Sequence, residues 1–257
     1  MLDITQIESF YPEHLKAFKR NLLREYLQYK ILEAIFSSEL SERLSFMGGT
    51  AAHIVHSNNR FSEDLDFDNR GLDKEDFKEM AGTVAKKLRL EGYEIEVTNS
   101  FKGAYRSFVN VLNVLYENRL SPHRGEKLLI QIDAEPQEFS YTPDKVIINK
   151  FDVFCSLCVV PIDLLLAQKI YAICARKRPM GRDFYDAIFL FGKTEPNMEY
   201  LRDKLHVKDK SEAFRMLMKK CEKIDFKSLA KDVEPFLFIP GDAKKILMFQ
   251  EYIRGLS

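Results

Sequence analysis

The stretch FMGGTAAHIVHSNNRFSEDLDF constrains the fold of this chain more than any other part of the sequence. It follows a short apolar segment that predicts a buried strand, and it opens with Gly48, Gly49 and Thr50. A helix-permissive run and a Ser-Asn-Asn turn signal come next, and two carboxylates, Asp64 and Asp66, close the stretch. We therefore predict the order strand, glycine turn, helix, loop and strand.

The spacing of the two carboxylates has a chemical meaning. Side chains alternate along a strand, so Asp64 and Asp66 are predicted to leave the same face while Leu65 and Phe67 are buried behind them. Their Cα atoms would lie about 6–7 Å apart, where two negative charges repel unless a cation lies between them. Mg²⁺ prefers carboxylate oxygens and keeps positions open for phosphates. A glycine turn at a helix start offers bare N–H groups to a phosphate, so the pattern predicts a metal–nucleotide site.

The same residues carry a family resemblance. The sequence motif GGTAxxxxxxxxRFSEDLDF resembles that of the AbiEii/AbiGii-type nucleotidyltransferase toxins, within the DNA-polymerase-beta-like nucleotidyltransferase superfamily. The resemblance implies transfer of a nucleoside monophosphate from an NTP to a hydroxyl of RNA, at the 3′ end of tRNA, with Mg²⁺ at a two-metal site. It also implies a toxin or phage-defence role and a cognate antitoxin from the same operon. Gly48, Gly49 and Thr50 would then cradle phosphates, and Arg60 and Ser62 would contact the nucleotide or its leaving group.

A third acid stands at the end of the apolar run LLIQID. Asp133 resembles the position of the third metal carboxylate of the superfamily, and such an acid can bind a second metal and help to deprotonate the attacking hydroxyl. Glu135, two residues later, is the alternative, and an ordinary acid at the end of a strand is the simpler explanation.

A further candidate cluster lies in the second half of the chain. Lys169 is a single charge within the apolar run DLLLAQKIYAI, where a lysine either extends to the surface or points into a polar site. The AbiEii-like pattern has such a lysine, followed by basic residues and an R-D-x-x-D group, which match Arg176, Arg182, Asp183 and Asp186. Lys169 would hold triphosphate oxygens, and the two arginines would contact phosphates. Asp183 is preferred to Asp186 as the acid that faces the site, although capping of a helix would also explain an acid there.

The surrounding sequence predicts an α+β fold with two lobes. The pattern predicts a lobe over residues 1–155 with a mixed sheet, flanking helices and an N-terminal helical element, and a helical C-terminal lobe over residues 156–257. The resemblance implies that the first is a polymerase-beta-like nucleotidyltransferase lobe. The supporting elements are a mostly helical segment at 9–40, a helix from an Asp73 cap to about residue 90, strands at 93–98, 107–116 and 127–134, irregular structure and strands at 143–161, and a helical tail from 195 without a chemical motif.

Composition excludes several classes of protein. The chain has 39 basic residues (Lys and Arg) and 39 acidic residues (Asp and Glu), so its net charge indicates no polyanion partner. Any nucleic-acid contact must come from local patches. No apolar run approaches transmembrane length, which predicts no membrane partner. The N-terminal sequence lacks the basic start and apolar core of a secretory signal, and the four cysteines are expected to be reduced, so we predict a cytoplasmic protein.

Three alternatives stay open from the sequence. A small-molecule nucleotidyltransferase, such as one that modifies an antibiotic, uses the same glycine and acid pattern. A kinase-like enzyme would share the metal site but transfer the γ-phosphate. A non-catalytic nucleotide-binding module should have lost at least one of the metal acids, and this chain retains every candidate.

Overall fold

The computed structural model describes residues 2–256, which form two compact units. The first comprises the described chain up to Ala51 together with Phe61–Val159. The second comprises Ala52–Arg60 together with the described chain from Val160 onward. The predicted lobe boundary after residue 155 falls inside a strand, Val153–Val159, which belongs to the first unit.

The first unit is organised around one mixed sheet. Its seven strands are β1 (Leu44–Met47), β2 (Leu65–Asn69), β3 (Ile95–Ser100), β4 (Tyr105–Val111), β5 (Leu128–Glu135), β6 (Asp144–Lys150) and β7 (Val153–Val159), in the spatial order β3-β4-β5-β2-β1-β7-β6. The pairs β2–β5 and β1–β7 are parallel and the other four pairs are antiparallel. Leu65 and Phe67 of β2 are fully buried, as the alternation predicted for this strand requires, although Asp68 and Asn69 are buried as well. In β5, Ile130 and Ile132 are fully buried and alternate with more exposed residues.

Helices of this unit are α1 (Ile4–Glu8), α2 (Lys19–Phe36), α4 (Lys74–Leu90) and α5 (Val114–Glu117), and the boundary between the units falls inside α3 (Gly48–Ile54). The prediction of helix α4 is confirmed, with its Asp73 cap and its end at Leu90. The Asp73 side chain accepts hydrogen bonds from the backbone N–H groups of Glu75 and Asp76, in a capping box. Phe77 and Leu88 are buried on its inner face. These signals are local, so the sequence alone places the helix.

Two segments of the first unit differ from the prediction, and a third contains the predicted strands in a more regular arrangement. The helical segment at 9–40 is interrupted by 3₁₀ turns at Glu13–Phe18 and Glu39–Arg43, the first of them following Pro12, which lacks an N–H group. The strand predicted at 107–116 ends at Val111, because Asn113 adopts a left-handed conformation (φ 57°) and α5 begins after it. The region predicted as irregular structure and strands at 143–161 forms the β6–β7 hairpin at the sheet edge.

The second unit is helical in its C-terminal part. It contains α6 (Ile162–Ala175), α7 (Gly181–Phe191), α8 (Met198–Leu205), α9 (Lys210–Cys221), α10 (Phe226–Val233), α11 (Lys244–Leu247) and α12 (Phe249–Gly255), with 3₁₀ turns at Glu234–Phe236 and Pro240–Ala243. This agrees with the predicted helical tail, and the two 3₁₀ turns that interrupt it contain Pro235 and Pro240. The segment Ala52–Arg60 joins this unit through a bridge between Arg60 and Leu237.

Candidate active site

The two acids of the DLD pattern lie at the start of β2. Asp66 belongs to the strand, while Asp64 directly precedes it, so the strand begins one residue later than the predicted alternation. Leu65, between them, is fully buried, and both acids are half-buried on the other side of the chain. Thr50, which was predicted to contact phosphate, is fully buried, and its hydroxyl donates to the backbone carbonyl of Asp64. The threonine therefore fastens α3 to the beginning of the acid pair.

Parallel pairing of β2 with β5 brings a third acid beside Asp66. The register places Asp66 opposite Asp133, and Asp68 opposite Glu135. Neighbouring strands lie about 4.8 Å apart, and residues in register point to the same face, so Asp66 and Asp133 are adjacent carboxylates. This register favours Asp133 over Glu135 as the third acid of the site.

Asp68 continues the row of acids on β2 but has a structural environment. It is 3% exposed, and its carboxylate accepts hydrogen bonds from the Gln137 backbone N–H (2.9 Å) and the Tyr141 hydroxyl (2.7 Å). Both partners follow β5, so Asp68 holds the chain that leaves the sheet at this end.

Two side chains that the sequence did not single out hold Asp133. Gln131 donates from Nε2 to both carboxylate oxygens at 2.9 Å, and the Arg106 guanidinium lies 3.5 Å from Oδ2. Arg106 stands directly opposite Asp133 on β4. No sequence pattern marks either residue, because their proximity arises from cross-strand register and from the two-residue spacing along β5.

The glycine pair starts the helix rather than preceding it. Helix α3 begins at Gly48, three residues earlier than predicted. Gly48 has a φ of +78°, and a Cβ atom there would lie 2.8 Å from both Cβ and Cγ of Asp66. Only glycine fits, since any side chain would displace the carboxylate and would strain the backbone. Gly48 is thus the residue that lets Asp66 approach the start of α3, with Gly49 and Thr50 in the first turn.

The loop that contains Ser62 is held by a buried glutamine. Gln28 of α2 is 1% exposed, and its Nε2 donates to the carbonyl oxygens of Ser62 and Glu63, both at 3.0 Å. The Ser62 side chain itself is half-buried. Its predicted contact with the nucleotide stays a prediction, while the structure shows how its backbone is positioned.

The donor atoms of this cluster suit a hard cation. Within residues 2–256, no three His, Cys, Asp or Glu side chains are grouped closely enough to form a metal site by themselves. Mg²⁺ does not need such a cage, because it is commonly bound by one or two carboxylates and completes its shell with water and substrate phosphates. Asp66 and Asp133, with Asp64 beside them in sequence, fit that requirement.

The second group of predicted residues meets in the helical unit. The Lys169 ammonium group lies 2.9 Å from Asp186 Oδ2 and 3.2 Å from Asp183 Oδ1, and its side chain is 12% exposed. Burial alone would lower the pKa of Lys169, but the charges of Asp186 and Asp183 outweigh it and raise that pKa above its ordinary value. Lys169 is therefore a cation with two carboxylate partners.

Arg60 lies at the centre of the same cluster. Its Nε and Nη2 atoms donate to the two oxygens of Asp186 at 2.6 and 2.7 Å, and Asn58 adds a hydrogen bond of 2.8 Å. Arg60 is 1% exposed and Asp186 is fully buried. Burial opposes the ionisation of Asp186, but the charges of Arg60 and Lys169 outweigh it and lower its pKa to about 2. Sequence reasoning missed Asn58 and the partnership of Arg60, which the intervening fold creates.

The remaining predicted residues have distinct surroundings. Arg176 donates to Asp183 Oδ2 at 2.7 Å and is half exposed. The Arg182 guanidinium lies over the ring of Phe236, 5.0 Å from its centroid. Helix α7 begins after Met180 without a side-chain cap, so Asp183 does not cap it and is engaged by Lys169 and Arg176 instead.

The structure thus assembles the predicted residues as two groups, each inside its own unit. Gly48, Asp66 and Asp133 meet in the first unit. Five residues meet in the second: Arg60, Lys169, Arg176, Asp183 and Asp186.

A sheet of this kind, with acids on its central strands, defines a nucleotidyltransferase-like fold. Two solved Helicobacter pylori structures share it. JHP933 has a TM-score of 0.56 and 16% sequence identity over 92% of each chain. The structure named "putative nucleotidyltransferase from H. pylori" has a TM-score of 0.54 and 16% identity, over 92% of this chain and 97% of that one. The predicted fold class is confirmed.

The family follows from the sequence match. The model of the nucleotidyl transferase AbiEii toxins of type IV toxin–antitoxin systems matches residues 30–246. The chain belongs to this family and is a nucleotidyltransferase, as its residues predicted, so its substrate is an NTP and an antitoxin is its partner. No curated protein matches the chain. None of the helices in the described residues is long and apolar enough to cross a membrane.

Proposed function

We propose that this protein transfers a nucleoside monophosphate from an NTP to a hydroxyl at the 3′ end of an RNA, with tRNA as the acceptor, in a Mg²⁺-dependent reaction. The acceptor oxygen would bond to the α-phosphorus while the bond to the β-phosphate breaks and pyrophosphate leaves. The observation that carries the proposal is the register that sets Asp66 beside Asp133, with Gly48 closed against the Asp66 carboxylate. A sheet with a purely structural role does not require two adjacent acids together with a glycine at the adjoining turn.

Asp64, Asp66 and Asp133 would hold the metal. When bound, Mg²⁺ offsets the negative charge of the triphosphate and of the attacking and leaving oxygens. Asp133 is the acid placed to accept the proton of the acceptor hydroxyl. Arg106 and Gln131 are positioning residues, because their contacts orient the Asp133 carboxylate.

The first turn of α3 would receive the phosphates of the NTP. The N–H groups at the start of a helix have no intrahelical partner, and the helix dipole favours an anion there. Gly48, which is half-buried, places no side chain over this backbone, Gly49 is buried behind it, and Thr50 ties the turn to the Asp64 carbonyl. Ser62 stays a candidate for contact with the nucleotide from its glutamine-held loop.

The buried cluster of the helical unit has a supporting role in this proposal. Three cations (Arg60, Lys169 and Arg176) and two carboxylates (Asp183 and Asp186) leave it with one net positive charge. Lys169 and the half-exposed Arg176 are the groups that would attract phosphate oxygens, together with Arg182. Arg60 is 1% exposed, which favours a positioning role, fixing Asp186 and through it Lys169, over direct contact with the nucleotide.

We also propose that the protein acts in the cytoplasm as the toxin of a toxin–antitoxin or phage-defence system, restrained by the antitoxin. Induced expression should arrest growth with the wild-type protein and not with Asp66→Asn. Arrest by both proteins would separate toxicity from nucleotidyl transfer.

Labelled nucleotides test the reaction directly. Total RNA is incubated with each NTP in turn, labelled at the α- or at the γ-phosphate, with Mg²⁺ or with EDTA. The variants are Asp66→Asn and the matched control Asp144→Asn, an exposed aspartate at the edge strand β6. We expect α-label in RNA with the wild type and with the control, and none with Asp66→Asn or EDTA.

The alternatives give different results in the same experiment. Transfer of γ-label would identify a kinase-like enzyme. Label that appears in small molecules of a cell extract, and not in RNA, would identify a small-molecule nucleotidyltransferase. Equal transfer by Asp66→Asn would overturn the metal assignment.

A further inference from the structure

A second basic site lies between the C-terminal tail, where the sequence showed no chemical motif, and the chain that follows α6. Helix α9 carries Lys219 and Lys220 in its last turn, and Lys223 follows it. The chain that leaves α6 carries Lys177. The fold of the helical unit brings these segments together around a cavity of about 490 Å³. We call it the lysine pocket; it is lined by Cys174, Lys177, Pro179, Met216, Lys219, Lys220, Glu222, Lys223 and Ile224.

The positive charge of the lysine pocket is not neutralised. Four lysines face one acid, Glu222. Within residues 2–256 none of these lysines forms an ion pair with a carboxylate, in contrast to Lys169 and Arg176. The chain as a whole has no net charge, so the excess of cations around this pocket is a local feature. Its ligand is therefore expected to be an anion.

The pocket is also held in shape. Lys220 donates from Nζ to the carbonyl oxygen of Arg176 at 2.7 Å, which joins α9 to the segment after α6. The lining between the lysines is apolar, with Pro179 and Ile224 half-buried and Met216 37% exposed. A volume of this order is typical of sites that bury a small molecule or one residue of a polymer.

The combination of lysines and an apolar lining favours one kind of anion. Unpaired nucleotides offer a flat apolar base and a flanking phosphate together, whereas a duplex keeps its bases stacked inside and presents phosphates alone. Lysine ammonium groups are point charges that bind phosphates without reading sequence. An acidic protein segment would supply carboxylates but no flat ring for the floor formed by Met216, Pro179 and Ile224.

We propose that the lysine pocket binds a single-stranded segment of the RNA acceptor, with one unpaired base on the apolar floor and its neighbouring phosphates at the lysines. This inference rests on the proposed function and deepens it, because it assigns to the acceptor a binding surface outside the nucleotide site.

Binding of a fluorescein-labelled single-stranded RNA, followed by anisotropy without NTP, tests the pocket. The variant is Lys177→Gln/Lys219→Gln/Lys223→Gln, which leaves the structural Lys220 in place. The control is Lys227→Gln/Lys231→Gln/Lys244→Gln, which removes the same charge from three exposed lysines of the same unit outside the pocket. Circular dichroism checks that both triple variants are folded.

Salt dependence distinguishes lost phosphate contacts from an unspecific effect. For single strands each contact contributes about 0.7 to the slope of log affinity against log salt, so three lost contacts should reduce the slope by about 2. The control should keep the wild-type slope. A third variant, Met216→Ala, should weaken binding about fourfold, as expected for the loss of roughly one methylene of apolar contact, without changing the slope.

Each outcome decides the question. Suppose that the wild type binds RNA and transfers α-label to it, and that the pocket variant has the wild-type slope of log affinity against log salt. This result overturns RNA binding by the lysine pocket and leaves the proposed function standing. Weaker binding of poly-glutamate with an unchanged RNA slope assigns the pocket to an acidic protein instead. If the wild type neither binds RNA nor transfers label to it, the RNA acceptor and the pocket fail together.

Discussion

Substitution of Asp186 by asparagine removes a negative charge from a site where solvent cannot replace it. Asp186 is fully buried and accepts hydrogen bonds from Arg60 and Asn58, with the Lys169 ammonium group 2.9 Å away. Asparagine preserves the size of the side chain and one accepting oxygen. It removes the carboxylate that accepts two hydrogen bonds from Arg60, which is 1% exposed.

The structure gives two measures of the cost. The pKa of Asp186 is lowered from 3.8 to about 2 by its partners, and at about 1.4 kcal/mol per pH unit this corresponds to roughly 2–3 kcal/mol of stability at neutral pH. Breaking a buried ion pair by removing one partner costs about 3–5 kcal/mol, because the other charge stays buried. We therefore expect Asp186→Asn to lower the free energy of unfolding by about 3 kcal/mol.

Urea unfolding provides the assay. The chain contains 11 tyrosines and no tryptophan, so tyrosine fluorescence and far-ultraviolet circular dichroism are the suitable signals. The control is Asp242→Asn, which breaks an exposed pair with Lys245 (2.7 Å) and should cost less than about 1 kcal/mol. A loss for Asp186→Asn no larger than for the control would refute the argument that this cluster supports the helical unit.

Four further predictions concern the ionisation of Asp186 and substitutions at Gly48, Asp133 and Gly181. Because the pKa of Asp186 is depressed, its contribution to stability is complete above pH about 4 and is lost as pH falls towards 2; acid titration of unfolding should show this loss in the wild type and not in Asp186→Asn. Gly48→Ala should reduce kcat at least about 100-fold by displacing the adjoining carboxylate, while Gly82→Ala, in open space on α4, should leave kcat unchanged. Asp133→Asn should reduce kcat about 100-fold or more, and Glu135→Gln less than about threefold; equal effects would contradict the register argument. Gly181→Ala should lower the free energy of unfolding by about 1–3 kcal/mol, because its new methyl group would meet the backbone of α10.

Much of the local structure could be predicted from the residues. Helix α4 follows from the Asp73 cap and the buried positions that recur at helical spacing. The strand character of β2 follows from Leu65 and Phe67, which are buried between the acids. Such features depend on neighbours along the chain, where period and capping decide the conformation. The family signature was readable for the same reason, since its glycines and acids are close together in sequence.

Other elements could not be placed in this way. The hairpin β6–β7 has no pattern that fixes it at the edge of the sheet beside β1. Helix α3 starts at Gly48, where the nearby Asp66 carboxylate leaves room only for glycine. Propensity alone would have begun the helix later.

The sequence by itself determined the class of chemistry: which residues can bind a metal and phosphates, and which family carries them. Tertiary structure alone decided their partners. Asp66 neighbours Asp133 because two strands distant in the chain run parallel in one register. Arg60 became a buried partner of Asp186 rather than an exposed cation. Strand register and the burial of charge depend on packing between segments far apart in the chain, and no local pattern encodes them.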